Sequence, residues 1–162
     1  MKVAIITAST AVYKGEQEDA SGKVIRKMVE EAGLDVVFMK ALPTDKTVLS
    51  TVFQRMADGN LADLILTTGG TGFAPRDMTP EATIAVCDRM ANGIADAIRS
   101  YSMTITDRAM FSRAVSGMRK KTLIINLPGS PKAVTEALEY ILPKLPHGLD
   151  VLRGNVQECG RK

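Results

Sequence analysis

Residues 66–81 read LTTGGTGFAPRDMTPE. An apolar run ends there in three glycines within four positions, and an Arg-Asp pair follows before Thr79, Pro80 and Glu81. Those last three residues read as a helix start. Thr79 suits the cap of the first free amides, Pro80 the first helical position and Glu81 the positive helix end. Strand, glycine turn and capped helix in that order form the joint of an open α/β sheet, where ligands bind outside the carboxyl ends of the strands. Glycine tolerates a left-handed backbone and puts no Cβ between chain and ligand, so the amides of such a turn can converge on an anion.

The flanking sequence extends this grammar in both directions. Val3 to Thr7 reads as a buried first strand, and Val24, Ile25, Met28, Val29 and Ala32 recur at helical spacing. Gly33 stops that helix before LDVVFM at 34–39, the predicted second strand. A second helix carries Val48, Leu49, Val52, Phe53 and Met56 on one face and ends near Gly59, ahead of the LADLILTT strand at 61–68. Residues 90–113 read as mainly helical or irregular. TLIINLPG at 122–129 restores a strand, and Ser130-Pro131 opens a helix bearing Ala133, Val134, Ala137, Leu138, Ile141 and Leu142. Pro143 and Pro146 bound its exit, and HGLDVLRG at 147–154 adds a short turn or helix. Alternating strands and helices predict a largely parallel, layered α/β domain without internal repeats.

Length and composition narrow the function classes. The 162 residues suit one domain over 1–162 with a sizeable core. No apolar run reaches the length of a membrane span, and the N-terminal run reads as a strand rather than a signal peptide. Lys and Arg number 21 against 18 Asp and Glu, a formal charge of +3 that is too small and dispersed for a nucleic-acid footprint. With no Trp, three Tyr and four Phe, stacking platforms for bases have little support. Cys87 and Cys159 imply neither a disulfide framework nor a cysteine metal site, so a reducing cytoplasm is expected. His147 has no nearby Cys or His at metal-ligand spacing and reads as a surface or packing residue.

The glycine turn departs from standard nucleotide loops. Gly72 is followed by Phe73 instead of the Lys-Ser/Thr of a Walker loop, and no GxGxxG follows the first strand. Thr71 adds a hydroxyl donor beside Gly69, Gly70 and Gly72, and Arg76 either neutralises phosphate or pairs with a local carboxylate. LPGSP at 127–131 sets a second glycine-and-hydroxyl turn, with Gly129 and Ser130, at another strand-helix junction. In an open sheet the two turns can converge on one edge.

TTGGTGFAPRDMTPEAT at 67–83 and ITDRAMFSRAVSGMRKKTLIINLPGSPKAV at 105–134, in this order, resemble the molybdopterin adenylyltransferase family, and the likeness covers nearly the full chain. The resemblance implies a three-layer α/β/α domain with a mostly parallel central sheet, molybdopterin-binding-domain-like and commonly a homotrimer. It also implies magnesium-bound ATP and molybdopterin as substrates. The reaction would transfer AMP to the terminal phosphate of molybdopterin and release pyrophosphate, and a metal-insertion partner protein would take the product.

Two phosphates must approach each other in that reaction, and magnesium with oxygen ligands reduces their repulsion. Asp77 is the first candidate to position it, its alternatives being a helix cap or a pair with Arg76. Asp45 is the second acidic candidate. Many members of the family carry an acid directly after the equivalent of Pro43, where this chain has Thr44, and a helix cap is the other reading of Asp45. Asp19, Ser21 and Gly22 form a candidate pocket edge or helix cap. Ser112, Arg113 and Ser116 are candidates to orient phosphate or pterin, and Ser130 is a binding candidate from the matching turn. A non-catalytic molybdopterin-binding or assembly module is the alternative function.

Overall fold

The structure, a computed structural model, describes residues 1–156; Cys159 lies outside them. Strand β1 (Lys2–Ala8) leads through a short helix α1 (Thr10–Tyr13) to α2 (Ala20–Glu31) and β2 (Asp35–Leu42). Helix α3 (Lys46–Asp58), β3 (Leu64–Thr68) and α4 (Thr79–Val86) follow. The chain then forms β4 (Arg89–Met90), α5 (Asn92–Met103), a 3-10 turn at Asp107–Phe111, and the strands β5 (Ser116–Arg119) and β6 (Thr122–Leu127). It closes with α6 (Pro131–Ile141) and α7 (Leu145–Arg153).

The six strands form one sheet in the order β2-β1-β3-β6-β5-β4. The first four run parallel, whereas β5 pairs antiparallel with both β6 and β4. Register brings Thr7, Thr68 and Leu127 level across β1, β3 and β6. The segments leaving these strands therefore emerge at one edge.

Alternation along the strands builds a core on each face. Val3, Ile5, Leu64, Leu66, Ile125 and Leu127 pack with α2, α5, α6 and α7 through residues such as Ile25, Ile98, Leu138 and Leu149. Ala4, Ile6, Ile65 and Ile124 pack on the other face against Leu49 and Phe53 of α3 and Ala82 and Val86 of α4. Each fully buried large side chain of this kind contributes roughly 1.5–3 kcal/mol. The result is a three-layer α/β/α fold with a mostly parallel central sheet. Among the described residues, no helix is long and apolar enough to cross a membrane. Cys87 is half-buried, and burial pushes its thiol up to about 11, away from thiolate chemistry.

Local expectations needed correction in three places. Thr79 is the first residue of α4 rather than its cap, because Met78 occupies the flanking position without a side-chain bond. Pro146 lies inside the first turn of α7, where proline's missing amide is harmless, so it does not bound the preceding helix. The β4 and β5 strands are too short, at two and four residues, to leave a period in the sequence.

One polar group crosses the apolar layer. The fully buried Asn126 donates through Nδ2 to the Oγ1 atoms of Thr67 (3.0 Å) and Thr83 (2.9 Å), and its Oδ1 accepts from the amide of Val115 at 3.2 Å. It ties β6 to β3, α4 and the approach to β5. Asn126→Ala should lower the unfolding free energy by about 2–3 kcal/mol, because it strands several buried polar groups. Urea denaturation measures that loss.

Candidate active site

A cleft of about 340 Å³ opens at the carboxyl ends of β1 and β3. The chain proceeds from β1 to β2 on one side and to β3 on the other, so this is where the strand order reverses and open α/β sheets take ligands. Its walls are residues 7–12 at and beyond the end of β1, residues 17–21 entering α2, Thr44, residues 68–70, residues 76–77, and Gly129 with Pro131.

The glycine loop is held in a shape that side chains would prevent. Gly69 and Gly70 have φ of +87° and +65°, in the left-handed region. A Cβ on Gly69 would stand 2.7 Å from the Ala8 carbonyl oxygen, and one on Gly70 would stand 2.4 Å from Thr79 Oγ1. Thr79 stitches the loop to α4, its hydroxyl donating to Gly69 O at 2.9 Å and its amide to Gly70 O at 3.1 Å. The second turn comes up beside the first: a Cβ on Gly129 would lie 3.5 Å from Gly69 Cα. Thr68 Oγ1 donates to Pro128 O at 2.6 Å and Ser21 Oγ to Gly129 O at 2.8 Å, fixing the second turn to the end of β3 and to α2.

Two half-buried aspartates line the cleft in different states of satisfaction. Asp19 caps α2, accepting from the Gly22 amide at 2.9 Å, and both of its oxygens also accept from the Thr7 hydroxyl. Asp77 accepts one bond, from the Ala74 amide to Oδ2 at 3.0 Å, and Oδ1 accepts none from the described residues. Arg76 lines the cleft exposed, without an ion pair among the described residues, so it does not pair with Asp77. Glu18, also on the wall, is paired with Lys23, which holds its carboxyl below the usual range.

The structure therefore brings together Gly69, Gly70, Arg76, Asp77 and Gly129, with Asp19 and Ser21 beside them. Other sequence candidates lie elsewhere. Asp45 is exposed and caps α3, accepting from the Val48 amide at 2.9 Å, and it is not part of the cleft wall. Thr44 takes the lining position, its amide donating to Thr10 Oγ1 and the two hydroxyls meeting at 3.2 Å. Ser116 is fully buried, donating to Ala91 O and accepting from the Ala95 amide at the start of α5, which leaves it no route to a cleft ligand. Ser130 caps α6, accepting from the Ala133 amide at 3.3 Å. Thr71 and Gly72 turn to the other side of the loop, onto a more apolar cavity of about 290 Å³ that shares Gly129.

Arg113 and Glu81 have parts that sequence spacing did not reveal. The Arg113 guanidinium donates to Gly72 O at 2.8 Å and Asp77 O at 2.7 Å, and pairs with the Glu81 carboxylate. Its backbone amide donates to Thr71 O at 2.8 Å. The hydrogen bond from Arg113 holds Glu81 below its ordinary value of 4.5. No periodic signal marks this contact, because its partners lie 32 to 41 residues away along the chain.

Known proteins match this chain in both sequence and fold. Residues 4–147 match the family described as "Probable molybdopterin binding domain". A molybdopterin adenylyltransferase of Helicobacter pylori is 37% identical over 162 residues, covering 99% of this chain and 92% of the relative. Among solved structures, the molybdopterin biosynthesis enzyme MoaB from Thermus thermophilus superposes with a TM-score of 0.89 at 42% identity, over 94% of this chain and 96% of that one. The molybdopterin biosynthesis Mog protein from Mycobacterium ulcerans gives 0.87 at 36% identity, over 94% and 97%.

Two tests follow from the geometry. Gly70→Ala should destabilise the fold by about 1–3 kcal/mol, since it forces a Cβ into a left-handed residue and against Thr79. Chemical denaturation reads this directly. Glu81 has a depressed folded-state pKa, so its stabilisation is present above the ordinary carboxylate value and lost as pH falls through the lower folded value. Glu81→Gln should therefore lower the thermal midpoint at pH 7, and the gap to the native protein should close in acid. The matched span of residues 4–147 takes in the central sheet and both glycine turns, and the chain belongs to the family of the probable molybdopterin binding domain.

Proposed function

We propose that this protein is a molybdopterin adenylyltransferase: it transfers AMP from ATP to the terminal phosphate of molybdopterin and releases pyrophosphate, a step in molybdenum cofactor biosynthesis. The observation that carries this reading is the meeting of the Gly69–Gly70 and Gly129 turns beside Asp77 and the unpaired Arg76. The close relationship to proteins named for that activity supports it.

In the proposed reaction, a phosphate oxygen of molybdopterin attacks the α-phosphorus of ATP as the bond to the β-phosphate oxygen breaks. The glycine turns let phosphate groups approach backbone that carries no side chains, and Arg76 supplies a positive charge at the rim. Holding both substrates in line replaces a bimolecular encounter with a positioned one. Magnesium, when bound, would neutralise phosphate charge. No group of three or more acidic, His or Cys side chains forms a metal cage among the described residues. Magnesium does not require one, because one or two carboxylates with water and substrate phosphates suffice. The open Oδ1 of Asp77 fits that donor set, so Asp77 would hold it, while the position of Asp45 on the α3 cap argues against a direct part.

We further propose that residues 1–162 act as one unit in the cytoplasm, assemble as a homotrimer and hand the product to a metal-inserting protein. One observation favours the alternative of a non-catalytic molybdopterin-binding module: Thr44 presents a hydroxyl to the cleft where a second carboxylate would strengthen metal binding.

Purified protein with ATP, magnesium and molybdopterin should form adenylated molybdopterin and pyrophosphate. Asp77→Asn should slow turnover roughly 100-fold or more, in the range of losing one strong electrostatic group, with the fold retained by circular dichroism. Molybdopterin binding without product, beside an active control enzyme, would select the binding module instead. Unchanged turnover in Asp77→Asn would remove that residue from the mechanism.

A further inference from the structure

We propose that Arg113 is a positioning residue for the adenylyl transfer: it acts through the glycine loop and Asp77, without binding phosphate itself. The inference rests on the transfer activity proposed above for its kinetic consequence, and on contacts within the protein for its structural content.

Arg113 is outside the wall of the main cleft, and its donors are already engaged. Nε donates to Gly72 O, Nη2 to Asp77 O, and Nη1 and Nη2 to the two oxygens of Glu81. These bonds occupy four of the five N–H groups of a guanidinium. Glu81 balances the charge, which leaves Arg76 as the cation on the cleft wall.

The three carbonyls held by Arg113 are those of Thr71, Gly72 and Asp77. A trans peptide points its carbonyl and the next amide in opposite directions. Fixing these carbonyls on Arg113 therefore turns the amides of Gly72, Phe73 and Met78 away from it and sets the direction of the loop's dipoles. Asp77 is gripped at both ends: Arg113 holds its carbonyl, and the Ala74 amide donates to its carboxylate. The clamp has a rigid base, since the neighbouring Val115 amide donates to Asn126 Oδ1 and the Asn126 amide donates to Val115 O. Arg113 thus fastens the loop after β3 to the β6 side of the sheet. Lysine keeps the charge but lacks the planar fork that spans two carbonyls and a carboxylate.

The test combines kinetics with exchange. Arg113→Lys should lower kcat about 30-fold while changing KM for ATP less than about threefold, because a contact made through Asp77 matters more to the transition state than to binding. In an Asp77→Asn background the same change should slow turnover by less than about twofold, since residues acting as one unit are non-additive. Native-state hydrogen exchange, which needs no activity, should show the Ala74, Asp77 and Thr79 amides exchanging about tenfold faster in Arg113→Lys, with β1, β3 and β6 unchanged.

Near-native kcat in Arg113→Lys, a loss confined to KM, or full additivity with Asp77→Asn would each overturn the positioning role. So would unchanged loop exchange. Faster loop exchange in a protein whose native form transfers no AMP would retain the clamp and reject the transfer activity instead.

Discussion

The glycine turn after β3 is held against the end of β1 and the start of α4 at distances that exclude side chains, and the rest of the site follows from that contact. Parallel register sets Thr68 level with Leu127, so both strands release their turns at the same height. Gly129 then lies against the left-handed Gly69, whose neighbour Gly70 leaves no space before the Thr79 hydroxyl. Only glycine meets both the backbone angle and the steric limit at Gly69 and Gly70. Ser21 and Thr68 consume the carbonyls of the second turn, so the close approach leaves few backbone groups without partners.

Around this contact the charged groups separate into structural and available sets. Arg113 with Glu81, and Lys23 with Glu18, are paired. Asp19 serves the cap of α2 and the Thr7 hydroxyl. Asp77 keeps an oxygen open and Arg76 has no ion pair among the described residues, and both line the cleft together with the glycine loop. One group of this pair suits a negative phosphate and the other a cation, which is the donor set the proposed reaction calls for. The buried Asn126 supports the arrangement from below, joining Thr67 and Thr83 under the loop, and Thr83 in turn donates to Thr79 O at 2.9 Å.

Much of the frame was legible because it is periodic or local. The β1 and β6 runs are buried along nearly their whole length, as central parallel strands require, and α2, α3 and α6 show apolar spacing that matches their buried faces. Gly69, Gly70 and Gly129 were readable as backbone positions, and Asp77 as an acid in the same loop. Thr79 was misread because its local context is that of a cap, whereas its hydroxyl is drawn to Gly69 O ten residues back. Ser116 inside a matching motif looks the same in sequence whether it faces a ligand or, as here, bonds backbone at the start of α5. Asp45 reads as a cap or a ligand from sequence alone, and only the fold places Thr44 on the wall and Asp45 outside it.

Sequence alone therefore determined the layered α/β architecture, the family, and the two glycine turns. These depend on hydrophobic period and on glycine, whose conformational freedom is a property of the residue itself. Tertiary structure alone decided that Asp77 and not Asp45 lines the cleft, that Arg76 there has no ion pair among the described residues, and that Arg113 bonds the carbonyls of the loop. Those outcomes depend on contacts between residues tens of positions apart, where a hydrogen bond is chosen by the packing of the sheet and leaves no local pattern in the chain.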